Sequence, residues 1–261
     1  MHTKTATIRA IVFDKDDTLI DLAAFWREPV RQVCHWLAGQ FDDEDNTPGA
    51  GPNRLLVKHA KLVQALIRAA GFDGDRLIPE SPVVSGTNRD VVLAWKDALS
   101  RRGLHLSYAL GREAQQRLED ACAACGEVVG LADFHALFAR LAERGLRLGV
   151  VTSDSYLPTL RCLEKLGIAD QFDMVLTADR VSRPKPAPDM MNEFCHACNL
   201  TPAEVLMVGD SDNDMLFAQN SGATGVLFRA GPRTARPIGA SYRISDLNDL
   251  PGLVGLLQGL A

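Results

Sequence analysis

Ile8-Arg9-Ala10-Ile11-Val12-Phe13-Asp14-Lys15-Asp16-Asp17-Thr18-Leu19 joins two signals within twelve residues. The first half is short, apolar and β-branched, the pattern of a strand buried on both faces. It breaks off in a run of charge, so the strand's carboxyl end delivers three aspartates to one place. Leu146–Val151 repeats the design and ends in Thr152 and Ser153. Asp173–Thr177, Glu204–Val208 and Thr224–Phe228 read as three more strands. The helical patterns Phe134–Arg144, Leu157–Leu166, Asp189–Cys198 and Asp214–Asn220 fall between or after them, with Gly167 placed to end the second. Thr201-Pro202-Ala203-Glu204 reads as a short helical turn. Such alternation predicts an α/β fold, a Rossmann-like doubly wound parallel sheet covered on both faces.

Residues 23–130 break that rhythm. Their apolar positions recur at three- and four-residue spacing: Phe25, Val30, Val33 and Leu37; Leu55, Leu62, Leu66 and Ala69; Val91, Trp95, Ala98 and Leu99; Ala114, Leu118 and Ala121. We expect an all-α domain there, inserted into a core made of residues 1–22 and 131–261. Gln40–Asn53, rich in Asp, Gly and Pro, reads as a solvated loop. Ser85, Gly86, Thr87, Asn88 and Arg89 lie in a second loop suited to ligand contact, although a plain helix start at Thr87 explains the same residues.

Composition narrows the functional classes. The chain has 261 residues, 46% hydrophobic and 23% charged, which suits a globular protein rather than a disordered one. Its 28 Lys and Arg against 33 Asp and Glu give a net charge of −5, so a general nucleic-acid partner is not expected. No run of about 18 apolar residues predicts a membrane span. The polar start of the chain carries no cleavable apolar leader, and a cytoplasmic location is the expectation. Six scattered cysteines fit buried thiols there.

Ligands of open parallel sheets bind beyond the strands' carboxyl ends. Four such ends here offer Asp14-Lys15-Asp16-Asp17-Thr18, Thr152-Ser153-Asp154, Arg183-Pro184-Lys185-Pro186 and Gly209-Asp210-Ser211-Asp212-Asn213-Asp214. The first and last should be neighbours, which would gather six aspartates. So many carboxylates repel one another unless a cation sits among them, and an all-oxygen donor set favours Mg²⁺. Lys185 with the hydroxyls of Thr18, Thr152 and Ser153 adds what a phosphate group binds to. Phosphoryl transfer mainly requires such positioning and charge stabilisation. The residues alone leave open which aspartate attacks.

Taken together, Asp14-x-Asp16-x-Thr18, Thr152, Lys185 between prolines, and Gly209-Asp210-x-x-x-Asp214 resemble the four motifs of the haloacid dehalogenase superfamily. The likeness is greatest to its phosphoglycolate-phosphatase-like hydrolases, whose helical cap follows the first strand. That resemblance implies a Mg²⁺-dependent phosphomonoesterase acting on a small phosphorylated metabolite, phosphoglycolate being one option. It implies that Asp14 is the nucleophile and forms an aspartyl-phosphate, and that Asp16 acts as acid and then base. Thr152 and Lys185 would hold the phosphoryl oxygens, with Thr18 and Ser153 contributing to substrate binding. Mg²⁺ would rest on Asp14, the backbone carbonyl of Asp16 and Asp210, and Asp214 would act from behind, through water or by orienting Lys185. Having Asp16 separates the chain from relatives that are dehalogenases and favours phosphate esters. Phosphomutases of sugar phosphates share that residue, and a non-catalytic phosphometabolite-binding module is a further alternative. Two departures stand out: Asp17 replaces the usual Gly, in a turn where Asp tolerates left-handed geometry, and Ser153 replaces a frequent Asn.

Other motifs carry less. Cys122/Cys125 and Cys195/Cys198 are spaced like zinc ligands but lie in helical patterns far apart, which favours buried thiols. His135 reads as a packing residue. No Gly-x-Ser-x-Gly elbow or Walker A sequence is present.

Overall fold

A computed structural model describes residues 7–41, 52–125, 128–229 and 239–259. Residues 42–51 of the expected Gln40–Asn53 loop lie outside them, as do the side chains of Leu55, Ser85 and Cys125. The chain forms two compact units, Met1–Asp21 with Val128–Ala261, and Leu22–Glu127.

Strand β1 (Ala10–Phe13) opens the first unit. The second unit follows, with helices α1 (Leu22–Gly39) and α2 (Pro52–Ala70). A two-stranded hairpin, β2 (Phe72–Asp73) with β3 (Arg76–Leu77), comes next, then α3 (Pro82–Ser85), α4 (Asn88–Ser100) and α5 (Tyr108–Cys125). The expected loop ends earlier than Asn53, because Pro52 suits the first turn of a helix, where its missing N–H costs nothing. One apolar cluster holds this unit. It contains Val30, Val33, Leu37, Leu62, Leu66, Val91, Trp95, Leu99, Ala114 and Leu118, all expected core positions, with Phe25 only half-buried. Trp95 is fully buried and donates its indole N–H to the Leu66 carbonyl at 3.0 Å, which satisfies its one polar atom. Thr87 caps α4 in a capping box with Asp90, so the helix-start reading of Ser85–Arg89 accounts for that loop.

The first unit resumes with α6 (Phe134–Ala142), β4 (Arg147–Thr152), α7 (Tyr156–Lys165), β5 (Met174–Thr177), α8 (Asp189–Cys198), β6 (Val205–Gly209), α9 (Asp212–Ser221), β7 (Thr224–Phe228), β8 (Tyr242–Ile244) and α10 (Leu250–Leu257). Single 3-10 turns lie at Ala169–Gln171, Ala178–Arg180, Pro202–Glu204 and Leu247–Asp249. The third is the turn expected after Thr201, whose side chain shares a capping box with Glu204. Gly167 follows α7 with φ +69°, the left-handed geometry of a helix stop.

Six strands pair in the order β5-β4-β1-β6-β7-β8, every pair parallel. Ala10 and Val12 of β1 face a cluster containing Met190 and Phe194 of α8 and Phe217 of α9. Phe13 points the other way, its ring 5.7 Å from that of Phe138 on α6 and 6.4 Å from Phe172. Both faces are therefore covered, which is the doubly wound arrangement. With β1 central, its carboxyl end lies between those of β4 and β6.

Candidate active site

The Asp14–Leu19 turn is built around one carbonyl. Asp14 N–H still belongs to the sheet and donates to Val208 O at 2.8 Å. Beyond it, Leu19 and Ile20 N–H both donate to Lys15 O, at 2.8 and 3.0 Å. Closing so tight a loop needs a residue in the left-handed region, and Asp17 supplies it at φ +52°. The aspartate in place of glycine is thus accommodated.

Lys185 enters this turn from the far side. It is buried, and its ammonium donates to Asp14 Oδ1 at 2.6 Å, to Asp214 Oδ1 at 2.6 Å and to Val151 O at 3.1 Å. All three donors of the ammonium are used. Its loop is pinned by Arg183 on Asp189, at 2.8 and 3.2 Å, and by Asn220, which donates to Pro186 O at 2.9 Å. Asp214 is equally fixed: Oδ2 accepts from Ser211 Oγ at 2.6 Å and from Ser211 N–H at 3.1 Å. Gly209 makes this possible, since a Cβ there would collide with the Asp214 carboxylate carbon. Asp214 thus orients Lys185 with one oxygen and closes the cap of α9 with the other.

Asp14, Asp210 and Asp214 each offer a carboxylate oxygen, and these atoms lie within 4.8 Å of one another. With one ammonium among them, negative charge is in excess. Burial raises the Asp14 carboxyl most, Lys185 opposes it, and Asp214 and Asp16 raise it further, leaving it at about 7 against an ordinary 3.8. Burial acts to lower Lys185, but Asp14 and Asp214 outweigh it and hold the ammonium well above its usual range. A hard divalent cation fits this donor set, because it would offset the carboxylate excess through oxygen ligands alone. Both oxygens of Asp214 are engaged, so Asp14 and Asp210 are the better-placed ligands.

The expected convergence of six aspartates is corrected. Asp212 is exposed at the first turn of α9, where the helix dipole favours it. Asp17 serves the turn, and Asp16 is paired to Lys15 at 2.6 Å. Thr152 is buried at the end of β4 and accepts from Asp154 N–H at 3.1 Å, while Ser153 beside it is exposed. Thr18 is fully buried, and its hydroxyl has no hydrogen-bond partner among the described residues, so it lies beneath the turn rather than on its rim.

Sequence reasoning missed Lys15. Its side chain is 3% exposed and spans Asp16 at 2.6 Å and Asp154 Oδ2 at 3.2 Å. Burial works against its charge, but Asp16 and Asp154 override it and keep it protonated beyond the ordinary lysine range. The available signal was a cation set between two aspartates at a buried strand end.

The sequence matches the family described as haloacid dehalogenase-like hydrolase over residues 8–222. It is 26% identical over 253 residues to a phosphoglycolate phosphatase of Rhodobacter capsulatus, covering 96% of this chain and 97% of the relative. It is 25% identical over 257 residues to the pyrophosphatase PpaX of Bacillus velezensis, covering 95% and 97%. Among solved structures, a subfamily IA hydrolase of that superfamily from Geobacter sulfurreducens aligns with a TM-score of 0.65 at 20% identity, over 98% of this chain and 100% of the other.

Proposed function

The chain belongs to the haloacid dehalogenase-like hydrolases, and we propose that within them it is a Mg²⁺-dependent phosphatase of small organic phosphates. The observation that carries this reading is the Lys185 ammonium, held between Asp14 and Asp214 at 2.6 Å each beside Asp210. A buried cation locked to a carboxylate at a strand end orients that carboxylate and offers charge to an incoming phosphate.

Asp14 acts as nucleophile: its carboxylate attacks phosphorus, the bond to the leaving oxygen breaks, and Asp16 gives that oxygen a proton. Water, deprotonated by Asp16, then attacks the phosphorus of the aspartyl-phosphate, releasing inorganic phosphate and restoring Asp14. Lys185, turning from Asp14 Oδ1 to the phosphoryl group as that carboxylate attacks, and the Thr152–Ser153 turn hold the non-bridging oxygens. Asp14, Asp210 and the backbone carbonyl of Asp16 would hold Mg²⁺, which when bound supplies positive charge against the phosphoryl oxygens. The helical unit Leu22–Glu127 is proposed to act as the cap that selects the substrate.

The test is phosphate release from a panel of esters, with phosphoglycolate, sugar phosphates and nucleotides included, each with Mg²⁺ and with EDTA. Inorganic pyrophosphate belongs in the panel because a pyrophosphatase is among the relatives. Metal-dependent release that is lost in Asp14→Asn is expected. An Asp14→Asn protein that stays folded and fully active defeats the reading.

A further inference from the structure

Lys15 has no part in the mechanism above, yet it is placed at its centre. A lysine with a 3% exposed side chain at the end of an otherwise apolar strand is costly to desolvate. The carboxylates of Asp16 and Asp154 beside it differ. Asp154 is anchored: its N–H donates to Thr152 Oγ1 at 3.1 Å, its carbonyl accepts from Ala178 N–H at 3.1 Å, and Oδ1 accepts from Ser155 N–H at 2.7 Å, leaving Oδ2 for Lys15. Asp16 has a 30% exposed side chain, held by Lys15 through a hydrogen bond of 2.6 Å. The ammonium therefore sits between two carboxylates, of which Asp154 is anchored by further hydrogen bonds and Asp16 is held by Lys15. The backbone of Lys15 is the hub of the turn, so its own side chain starts from a fixed point.

We propose that Lys15 is a positioning residue for Asp16: it sets the direction of the Asp16 carboxylate, and Asp154 keeps Lys15 paired whenever Asp16 turns to the leaving group. The inference rests on Asp16 being the acid and base of the proposed reaction. It adds a link between the first and second strand-end loops that the reaction scheme alone does not require.

The test separates proton delivery from phosphate binding by changing the leaving group. A primary alkyl phosphate needs its leaving oxygen protonated, whereas p-nitrophenyl phosphate departs as a stable phenolate. Asp16→Asn is the reference and should lose about 100-fold or more in kcat/KM on the alkyl ester, and far less on the aryl ester, since kcat/KM reports formation of the aspartyl-phosphate and not the later base step that both esters share. Lys15→Met should lose about tenfold or more in kcat/KM on the alkyl ester, little on the aryl ester, and nothing further when combined with Asp16→Asn. Asp154→Asn changes a more exposed group and guards against a misfolded Lys15→Met. It should show the same alkyl-selective loss, because Lys15 then loses its ion pair to the second strand-end loop and holds Asp16 back. If Asp16→Asn is selective but both other variants slow the two esters equally, or add to Asp16→Asn, Lys15 serves folding or phosphate binding and the inference is overturned. If Asp16→Asn shows no leaving-group selectivity, its role as acid fails and the inference falls with it.

Discussion

Replacing Asp14 with Asn should abolish turnover and yet stabilise the metal-free protein. The magnitude follows from the charge balance around Lys185. The Asp14 carboxyl stands at about 7 in the folded chain against an ordinary 3.8. A raised folded value means the folded state binds the proton more tightly. The stability linked to it is complete below about pH 4, falls as pH climbs, and is lost above about pH 7. Three units of difference correspond to about 4 kcal/mol at pH 8. Asn removes that penalty but keeps only a neutral acceptor for Lys185, which returns about 1–2 kcal/mol of the gain. A net stabilisation of about 2 kcal/mol remains, or about 4–8 °C in Tm for a chain of this size. The assay is thermal unfolding by circular dichroism in EDTA, at pH 8 and at pH 5, where the difference between variant and wild type should shrink towards zero. Mg²⁺ reverses the ranking, because it binds the folded wild type; at 100 times its Kd it would add about 2.7 kcal/mol, and less to the variant. A variant with unchanged or lower Tm in EDTA at pH 8, or a difference independent of pH, refutes the picture of uncompensated carboxylates.

Three further substitutions test the supports of the site. Gly209→Ala should displace Asp214, and through it Lys185, lowering kcat about 100-fold while the sheet stays folded; unchanged kinetics would show that Asp214 does not orient Lys185. Asp17→Gly should leave stability within about 0.5 kcal/mol, whereas Asp17→Val should cost about 1–2 kcal/mol in denaturant unfolding, because only the latter strains the left-handed position. Thr87→Ala should cost about 1 kcal/mol through loss of the α4 cap with kcat and KM unchanged; a raised KM would instead place this loop against the substrate.

The architecture was legible where one local signal sufficed. A buried apolar run that breaks off in polar or charged residues has only one strand-end reading, and β1, β4 and β6 each carry it. Elements with neither that contrast nor a helical period give no such signal. In β8 two of three residues are exposed, α10 places Pro251 inside its first turn, and the β2–β3 hairpin has only two residues per strand. The site was legible in residue type but not in pairing. Six aspartates in two loops read as one pool of charge, yet each answers a different local demand: Asp17 a left-handed turn, Asp212 a helix start, Asp214 a glycine-shaped recess and a lysine. For Lys15 the sequence shows a cation beside aspartates at a strand end, and only the fold shows it turned inward against Asp154. Counting charges gave the case for a cation. How many of those charges a metal must neutralise depends on which ones already have a buried lysine. Two lysines share that role here, Lys185 beside Asp14 and Asp214, and Lys15 beside Asp16 and Asp154. Asp14, Asp210 and Asp214 still bring three carboxylates to one ammonium, and a cation held by Asp14 and Asp210 is what the proposed function would add there.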